Sequence, residues 1–253
     1  MKKKVIVVMP AYNAEKTVKM TYNEIPFDIV DEVILVDDAS QDRTVDIAKT
    51  LDMHVIEHNV NMGYGANQKS CYAEALRRKA DVVVMLHADY QYKPACMREM
   101  IQLILEDKAD AVLGSRIFGG GTREGGMPIW KYYGNRLLNS IQNKIYGLNL
   151  SDYSTGYKAY TGELLQAISF HLNRNDFIFD EEMNSQIVIM GFRLAMIPIP
   201  TKYFEEASSV DFRTSVHYGV WTLITLAKHL LHKLKIKKSP LFEREINPKE
   251  DAK

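Results

Sequence analysis

The amino-acid sequence predicts an α/β fold: a mostly parallel, doubly wound sheet flanked by helices. Three observations predict it. Short apolar runs rich in Val and Ile recur at residues 5–9, 32–36, 53–57, 81–86 and 111–114. Stretches of helical character separate them, the pattern of β-α-β units with right-handed crossovers. The run at 82–86, Val-Val-Val-Met-Leu, carries no polar residue, as suits a strand buried on both faces.

Residues 5–9 form the first strand. The lysines before it imitate a secretory leader, but the apolar part is short and stops at Pro10. Asn13 is the expected N-cap of a helix over 14–24. The second strand ends at Asp37 and Asp38, and a helix over 42–51 leads to the third. A loop over 61–67, with Gly63 and Gly65, feeds a helix that reaches residue 78. The fourth strand stops before His87, a helix covers 94–106, and the fifth strand follows, making four β-α-β units before residue 115. From Ser115 the rhythm changes. Residues 118–127 carry five glycines, which resist a single conformation and favour a mobile lid over a surface connection. Helices are expected over 130–146, 162–170 and 180–190, and a strand over 192–199. A long amphipathic helix over 212–235 follows, and residues beyond Ser239 are expected to be disordered.

Bulk properties narrow the function. Lys plus Arg and Asp plus Glu number 32 each, so the net charge is zero, which argues against nucleic acid as a partner. Cys71 and Cys96 form no metal-binding pair, and a reducing, cytoplasmic setting is the default. No apolar run approaches the ~18 residues of a membrane span, so no transmembrane helix is expected.

Two familiar nucleotide signatures are absent. Pro10 stands where a Gly-x-Gly-x-x-Gly loop would begin, and there is no Gly-Lys-Ser/Thr loop. What remains is a set of polar residues at three strand ends: Tyr12 and Asn13, Asp37 and Asp38, and His87, Asp89 and Gln91. In an extended segment, positions 87, 89 and 91 point to one side. A carboxylate and an amide oxygen suit Mg²⁺ or Mn²⁺ shared with a substrate phosphate. A carboxylate at the second strand end can accept hydrogen bonds from a ribose or a base. Together these groups describe a nucleoside diphosphate lying across the sheet edge. The competing reading is that Asp89 merely caps the turn before Pro94. Tyr64, Asn67 and Lys69 are further candidates for nucleotide contact. Arg213, after Ser208 and Ser209, is a candidate to fold over the diphosphate, against the simpler reading of a helix start capped by Ser209 or Asp211.

These motifs carry a resemblance. Pro10-Ala11-Tyr12-Asn13, Val36-Asp37-Asp38-Ala39-Ser40, His87-Ala88-Asp89 and Gly114-Ser115-Arg116 are similar, in order and spacing, to those of family 2 glycosyltransferases. Asp89-Tyr90-Gln91-Tyr92-Lys93-Pro94 resembles the Asp-Leu-Gln-His-Pro-Pro of the dolichyl-phosphate mannosyltransferase and polyprenyl-phosphate glycosyltransferase branch. Ser154-Thr155-Gly156-Tyr157-Lys158 resembles that branch's Thr-Ser-Gly-Phe-Arg, and the likeness spans residues 3–205. It implies a GT-A fold over 1–211, with a nucleotide-binding half (1–115) and an acceptor half (116–211); the amphipathic pattern adds a helix over 212–238 and a tail over 239–253. It implies that Pro10, Tyr12 and Glu15 line the base and ribose pocket, with Asp37 on the base or ribose. Ala88 counts among the donor contacts, and Asp89, Gln91 and His87 among the metal ligands. Arg116 would face the sugar or an acceptor phosphate. Asp180, Glu181 and Glu182 fall near the position of a general base, which a hydroxyl acceptor needs and an ionised phosphate does not. The simpler reading of these acids is a helix N-terminus, where the dipole favours them. His87 departs from the usual Asp and suits Mn²⁺ better than Mg²⁺.

The function expected is an inverting transfer of a sugar from a UDP- or GDP-linked donor to a polyprenyl phosphate. A soluble hydroxyl acceptor, a nucleotidyltransferase and a non-catalytic nucleotide-sugar binder are the alternatives. The last helix, with its lysines at 228, 233, 235, 237 and 238, either packs on the catalytic domain or lies peripherally on the inner face of the membrane.

Overall fold

A computed structural model describes residues 2–116, 129–200 and 212–244. The strands among them are β1 (Val5–Ala11), β2 (Glu32–Asp37), β3 (His54–Glu57), β4 (Val82–Met85), β5 (Ala111–Ser115), β6 (Lys158–Thr161) and β7 (Leu194–Pro198). They form one sheet in the order β3-β2-β1-β4-β6-β5-β7. Every pairing is parallel except those of β6, which runs antiparallel to both β4 and β5. The helices are α1 (Val18–Asn23), α2 (Thr44–Ala48), α3 (Tyr64–Arg77), α4 (Met97–Leu105), α5 (Ile129–Tyr146), α6 (Gly162–Ala167), α7 (Phe179–Ile189) and α8 (Phe212–Lys233).

The period of two along the strands divides the core. Val5, Val7 and Met9 of β1 join one cluster with Val18 of α1 and Met97, Met100, Ile101 and Ile104 of α4. The α4 residues recur at three and four, the spacing of one helix face. Ile6 and Val8 join the opposite cluster with Tyr72 of α3, Leu164 and Leu165 of α6 and Phe179 of α7. A third cluster, including Tyr146, Tyr153 and Leu226, lies under α5 and α8.

Several expectations are corrected. The strand β6 was not foreseen, and it separates β4 from β5, so the fourth β-α-β unit does not join neighbouring strands. Asn13 does not cap α1. It sits at φ +50° and its Oδ1 accepts from the Gln41 N–H, while the helix begins only at Val18. Residues 87–91 are not extended: a turn follows β4, with Tyr90 at φ +57°. The end of the chain is ordered further than expected. Leu241 and Phe242 are buried in a short helical turn, Gln186 donates to the Leu241 carbonyl, and Ile168 bridges to Arg244. The glycine-rich segment 118–127, residues 205–211, the Arg213 side chain and residues 245–253 lie outside the described residues. Among the described residues, no helix is long and apolar enough to cross a membrane.

Candidate active site

The carboxyl ends of β1, β2 and β4 reach one edge of the sheet. The chain leaves β1 toward β2 and β4 toward the other side, so a crevice opens between them, where ligands of open α/β sheets bind. A cavity of about 870 Å³ fills it. Pro10, Tyr12, Asn13, Glu15 and Asp38 line one end, and His87, Ala88, Asp89 and Gln91 line the middle. Tyr64, Asn67, Arg116 and Asp180 complete its polar wall. From α5 and α8 come the apolar side chains of Leu137, Leu138, Val216, Val220 and Leu223, beside the polar Asn135, Thr214, Ser215 and Tyr218.

The first two strand ends are stitched by carboxylates. Asp37 accepts the Ser40 N–H at 2.8 Å and does not line the cavity. Asp38 accepts the N–H groups of Met62 and Gly63, each at 2.9 Å, and pairs with His58 Nδ1 at 2.8 Å. It therefore shapes the loop that enters α3. Asn67 donates to the carbonyl of Val36 and ties β2 to that helix.

After β4, Asp89 closes the turn. Its Oδ1 accepts the Gln91 N–H at 3.0 Å, so the capping reading holds, yet both side chains still line the cavity. The turn, rather than an extended alternation, brings positions 87, 89 and 91 together. Among the described residues, no group of three or more His, Cys, Asp and Glu is placed to hold a metal ion. One carboxylate beside an amide oxygen nonetheless fits the donor set of Mg²⁺ or Mn²⁺, which take one or two carboxylates and complete their shell with substrate phosphates. Burial pushes the His87 imidazole below its ordinary pKa.

The acid cluster divides. Asp180 lines the cavity and accepts from the Tyr64 hydroxyl at 2.7 Å, with Lys158 Nζ at 2.8 Å. Glu181 does not line it but accepts from the hydroxyl of Tyr218, a lining residue, at 2.5 Å and from Gln142 Nε2 at 2.6 Å. Burial raises its carboxyl from 4.5 to about 7. Glu182 accepts the Arg174 N–H and is likewise off the cavity. Lys69 is also off it, held by the Asn173 carbonyl and Asn175. Arg116 meets the buried Asp152 through Nε at 2.8 Å and Nη2 at 2.9 Å. Burial works against the Asp152 charge, but the guanidinium holds its carboxyl below the usual range.

Sequence reasoning gave no role to Lys158, Asp152 or Tyr218. Lys158 is fully buried. Because β6 runs antiparallel, its first residue pairs with Met85, the last of β4, and so reaches the ligand edge of the sheet. A lysine opening a four-residue strand gives no strand signal. Its presence in the Ser154–Lys158 motif was the available clue.

Comparison with known proteins agrees with this architecture. The description Glycosyl transferase family 2 matches residues 6–169. The dolichyl-phosphate hexose transferase of Haloferax volcanii is 32% identical, over 79% of this chain and 83% of its own. The undecaprenyl-phosphate mannosyltransferase of Micrococcus luteus is 30% identical, over 78% and 82%. The UDP-N-acetylglucosamine–dolichyl-phosphate N-acetylglucosaminyltransferase of Methanococcus voltae is 26% identical, over 89% and 96%. In fold, the chain is similar to glucosyl-3-phosphoglycerate synthase of Mycobacterium tuberculosis, solved with Mn²⁺, UDP and phosphoglyceric acid. That likeness has a TM-score of 0.68 at 16% identity and covers 90% of this chain and 78% of the other. With more than half its length matched and its strand-end motifs gathered on one cavity, the chain belongs to glycosyl transferase family 2.

Proposed function

We propose that the protein transfers a hexosyl group, with inversion, from a UDP- or GDP-linked sugar to a polyprenyl phosphate. One observation carries the reading: the cavity joins polar groups at the strand ends to a cluster of five apolar side chains from α5 and α8. A nucleoside diphosphate matches the first. A saccharide acceptor has no use for the second, whereas an isoprenoid chain does. The names of the relatives support the same acceptor class, since they include dolichyl- and undecaprenyl-phosphate transferases.

In this reading, Tyr12, Glu15 and Asp38 sit toward the nucleoside. Asp89 and Gln91 would hold a divalent ion, Mg²⁺ or Mn²⁺, which would supply charge neutralisation for a departing diphosphate. An acceptor phosphate oxygen attacks the anomeric carbon from the face opposite the diphosphate. The carbon–oxygen bond to the diphosphate breaks, and nucleoside diphosphate leaves. The attacking phosphate is already ionised, so no base has to take a proton. That agrees with the state of Asp180, whose oxygens are occupied by Tyr64, Gln68 and Lys158. Asp180 and Lys158 then order the sugar side of the cavity electrostatically. Arg116, fixed by Asp152, stands at the acceptor side.

The test uses sugar-labelled UDP and GDP donors with Mn²⁺ or Mg²⁺, with and without undecaprenyl phosphate. Label passing into the organic phase only when the lipid phosphate is present is the expected result. Transfer to a water-soluble saccharide, with none to the lipid, would replace this acceptor with a hydroxyl.

A further inference from the structure

Where the resembling motif has an Asp, this chain has His87, and the ring has a definite occupation. It lies nearly parallel to Tyr64, with centroids 5.5 Å and planes 12° apart. Its Nε2 is 3.5 Å from the Tyr64 hydroxyl. It also lies against backbone. A Cβ added to Gly156 would meet His87 Nε2 at 2.7 Å and Cδ2 at 2.9 Å. The Gly156 N–H donates to the Tyr92 hydroxyl at 3.0 Å, so that backbone is itself anchored. Tyr64 carries the contact onward. Its ring rests 4.7 Å from that of Phe177, and its hydroxyl donates to Asp180 Oδ2.

A histidine that ligates a metal aims a nitrogen lone pair at an ion about 2.0–2.2 Å away, with nothing between. Nε2 here is covered by a hydroxyl and a glycine, which closes one of the ring's two nitrogens to an ion. An aspartate at this position has no ring with which to fill the space between Tyr64 and Gly156.

We propose that His87 is a positioning residue. Wedged between Tyr64 and Gly156, its ring fixes the Tyr64 phenol, and through it the Asp180 carboxylate, at the floor of the cavity, and it does not ligate the divalent ion. The inference rests on the preceding reading in one respect, that Asp89 marks the diphosphate side and Asp180 the sugar side. It also makes Gly156 a requirement of the histidine, because any side chain there displaces the ring.

The test compares His87→Phe, which keeps a ring and removes both nitrogens, with His87→Ala and Asp89→Ala. Free Mn²⁺ is followed by electron paramagnetic resonance in the presence of UDP or GDP. Loss of a residue that merely supports a ligand weakens a metal about 10–100-fold, so Asp89→Ala is expected to cost at least that and His87→Phe to stay within about twofold of the parent protein. In transfer assays, His87→Ala is expected to lower kcat about tenfold or more at nearly constant donor KM, with most of the loss recovered in His87→Phe. A third measurement needs no activity. The urea midpoint losses of His87→Ala and Tyr64→Ala should sum to more than the loss of the double variant, since the second change finds the stack already gone.

Mn²⁺ loss in His87→Phe equal to that of Asp89→Ala would make His87 a ligand and overturn the proposal. So would an unchanged kcat in His87→Ala, or strictly additive urea midpoints. If the parent protein retains no Mn²⁺ with either nucleotide, the metal reading of the proposed function fails. The urea cycle then still decides the stack.

Discussion

Asp89 closes the turn after β4 through Oδ1, and its side chain also lines the cavity. Asp89→Ala should therefore reduce transfer to background while costing only about 1 kcal/mol, the worth of a lost side-chain cap. A variant that unfolds readily, or one that stays active, contradicts this assignment. Glu181 shows the opposite balance, with no reach into the cavity and a large electrostatic cost. Burial raises its pKa from 4.5 to about 7, so the folded protein binds a proton there that the unfolded chain releases. Stability from this group is present below pH 4.5 and is lost as the pH rises through 7. The shift corresponds to about 3 kcal/mol at most. Glu181→Gln should thus raise the melting temperature at pH 8 and change it little at pH 4.5. Tyr218 can still donate to the amide oxygen, and Gln142 can flip its amide to accept from the new NH₂. Melting curves at the two pH values check the sign. A variant equally stabilised at both would place the cost elsewhere than in the charge.

Between elements, the tightest approach near the site is at the start of α3. A Cβ on Gly65 would meet the Arg174 carbonyl oxygen at 2.4 Å and the Phe179 Cβ at 2.8 Å. Neither neighbour is the end of a flexible side chain. Gly65→Ala should cost about 1–3 kcal/mol, the usual range for overpacking, read as a lower urea midpoint. It should also lower activity, since Tyr64 is the adjacent residue. β1, β2 and β4 were legible because apolar runs buried on both faces leave a clear pattern, and the half-buried β3 and the short β5 also fell where apolar runs did. The strand β6 was not legible, because its four residues begin with a lysine whose burial depends on a carboxylate from α7. The same helix explains the half-right reading of the acid cluster. Its first turn does carry three acids, but α7 is buried on nearly every side, so each acid meets a different neighbour and only Asp180 meets the cavity. Asn13 was misread because a left-handed backbone and a bond to Gln41 are not encoded in residue type alone.

At the scale of the whole molecule, α8 is oriented against the usual rule for a surface helix. Its buried stripe is Thr222, Thr225, Leu226 and His229, with three polar residues of four. Arg174 adds a grip from below, its guanidinium 3.9 Å from the Trp221 ring. The outward residues are apolar: Val216, Val220, Leu223, Ile224, Leu230, Leu231 and Leu234 are all exposed. The helix therefore packs on α5 and α7 by one face and leaves its apolar face exposed. Val216, Val220 and Leu223 are also cavity wall, so the free face and the cavity mouth are continuous. Lys233, Lys235, Lys237 and Lys238 follow at its end, exposed. An apolar helix face edged with cations lies in the headgroup region of an anionic bilayer, each lysine adding about 1 kcal/mol near the surface. Such a placement brings the cavity mouth to the lipid and lets a polyprenyl phosphate enter without leaving the membrane. The expected result is flotation with anionic liposomes at low salt and less at high salt. Val220→Glu with Leu231→Glu should abolish it, and replacing Lys235, Lys237 and Lys238 by Gln should remove mainly its salt dependence. These positions are exposed, so their variants should stay within about 0.5 kcal/mol of the parent in stability. Truncation of α8 would not be interpretable in the same way, because it removes Leu226 and His229 from the core. Protein remaining in the soluble fraction at both salt concentrations would detach the apolar face from any bilayer, and the acceptor would then have to reach the cavity through water.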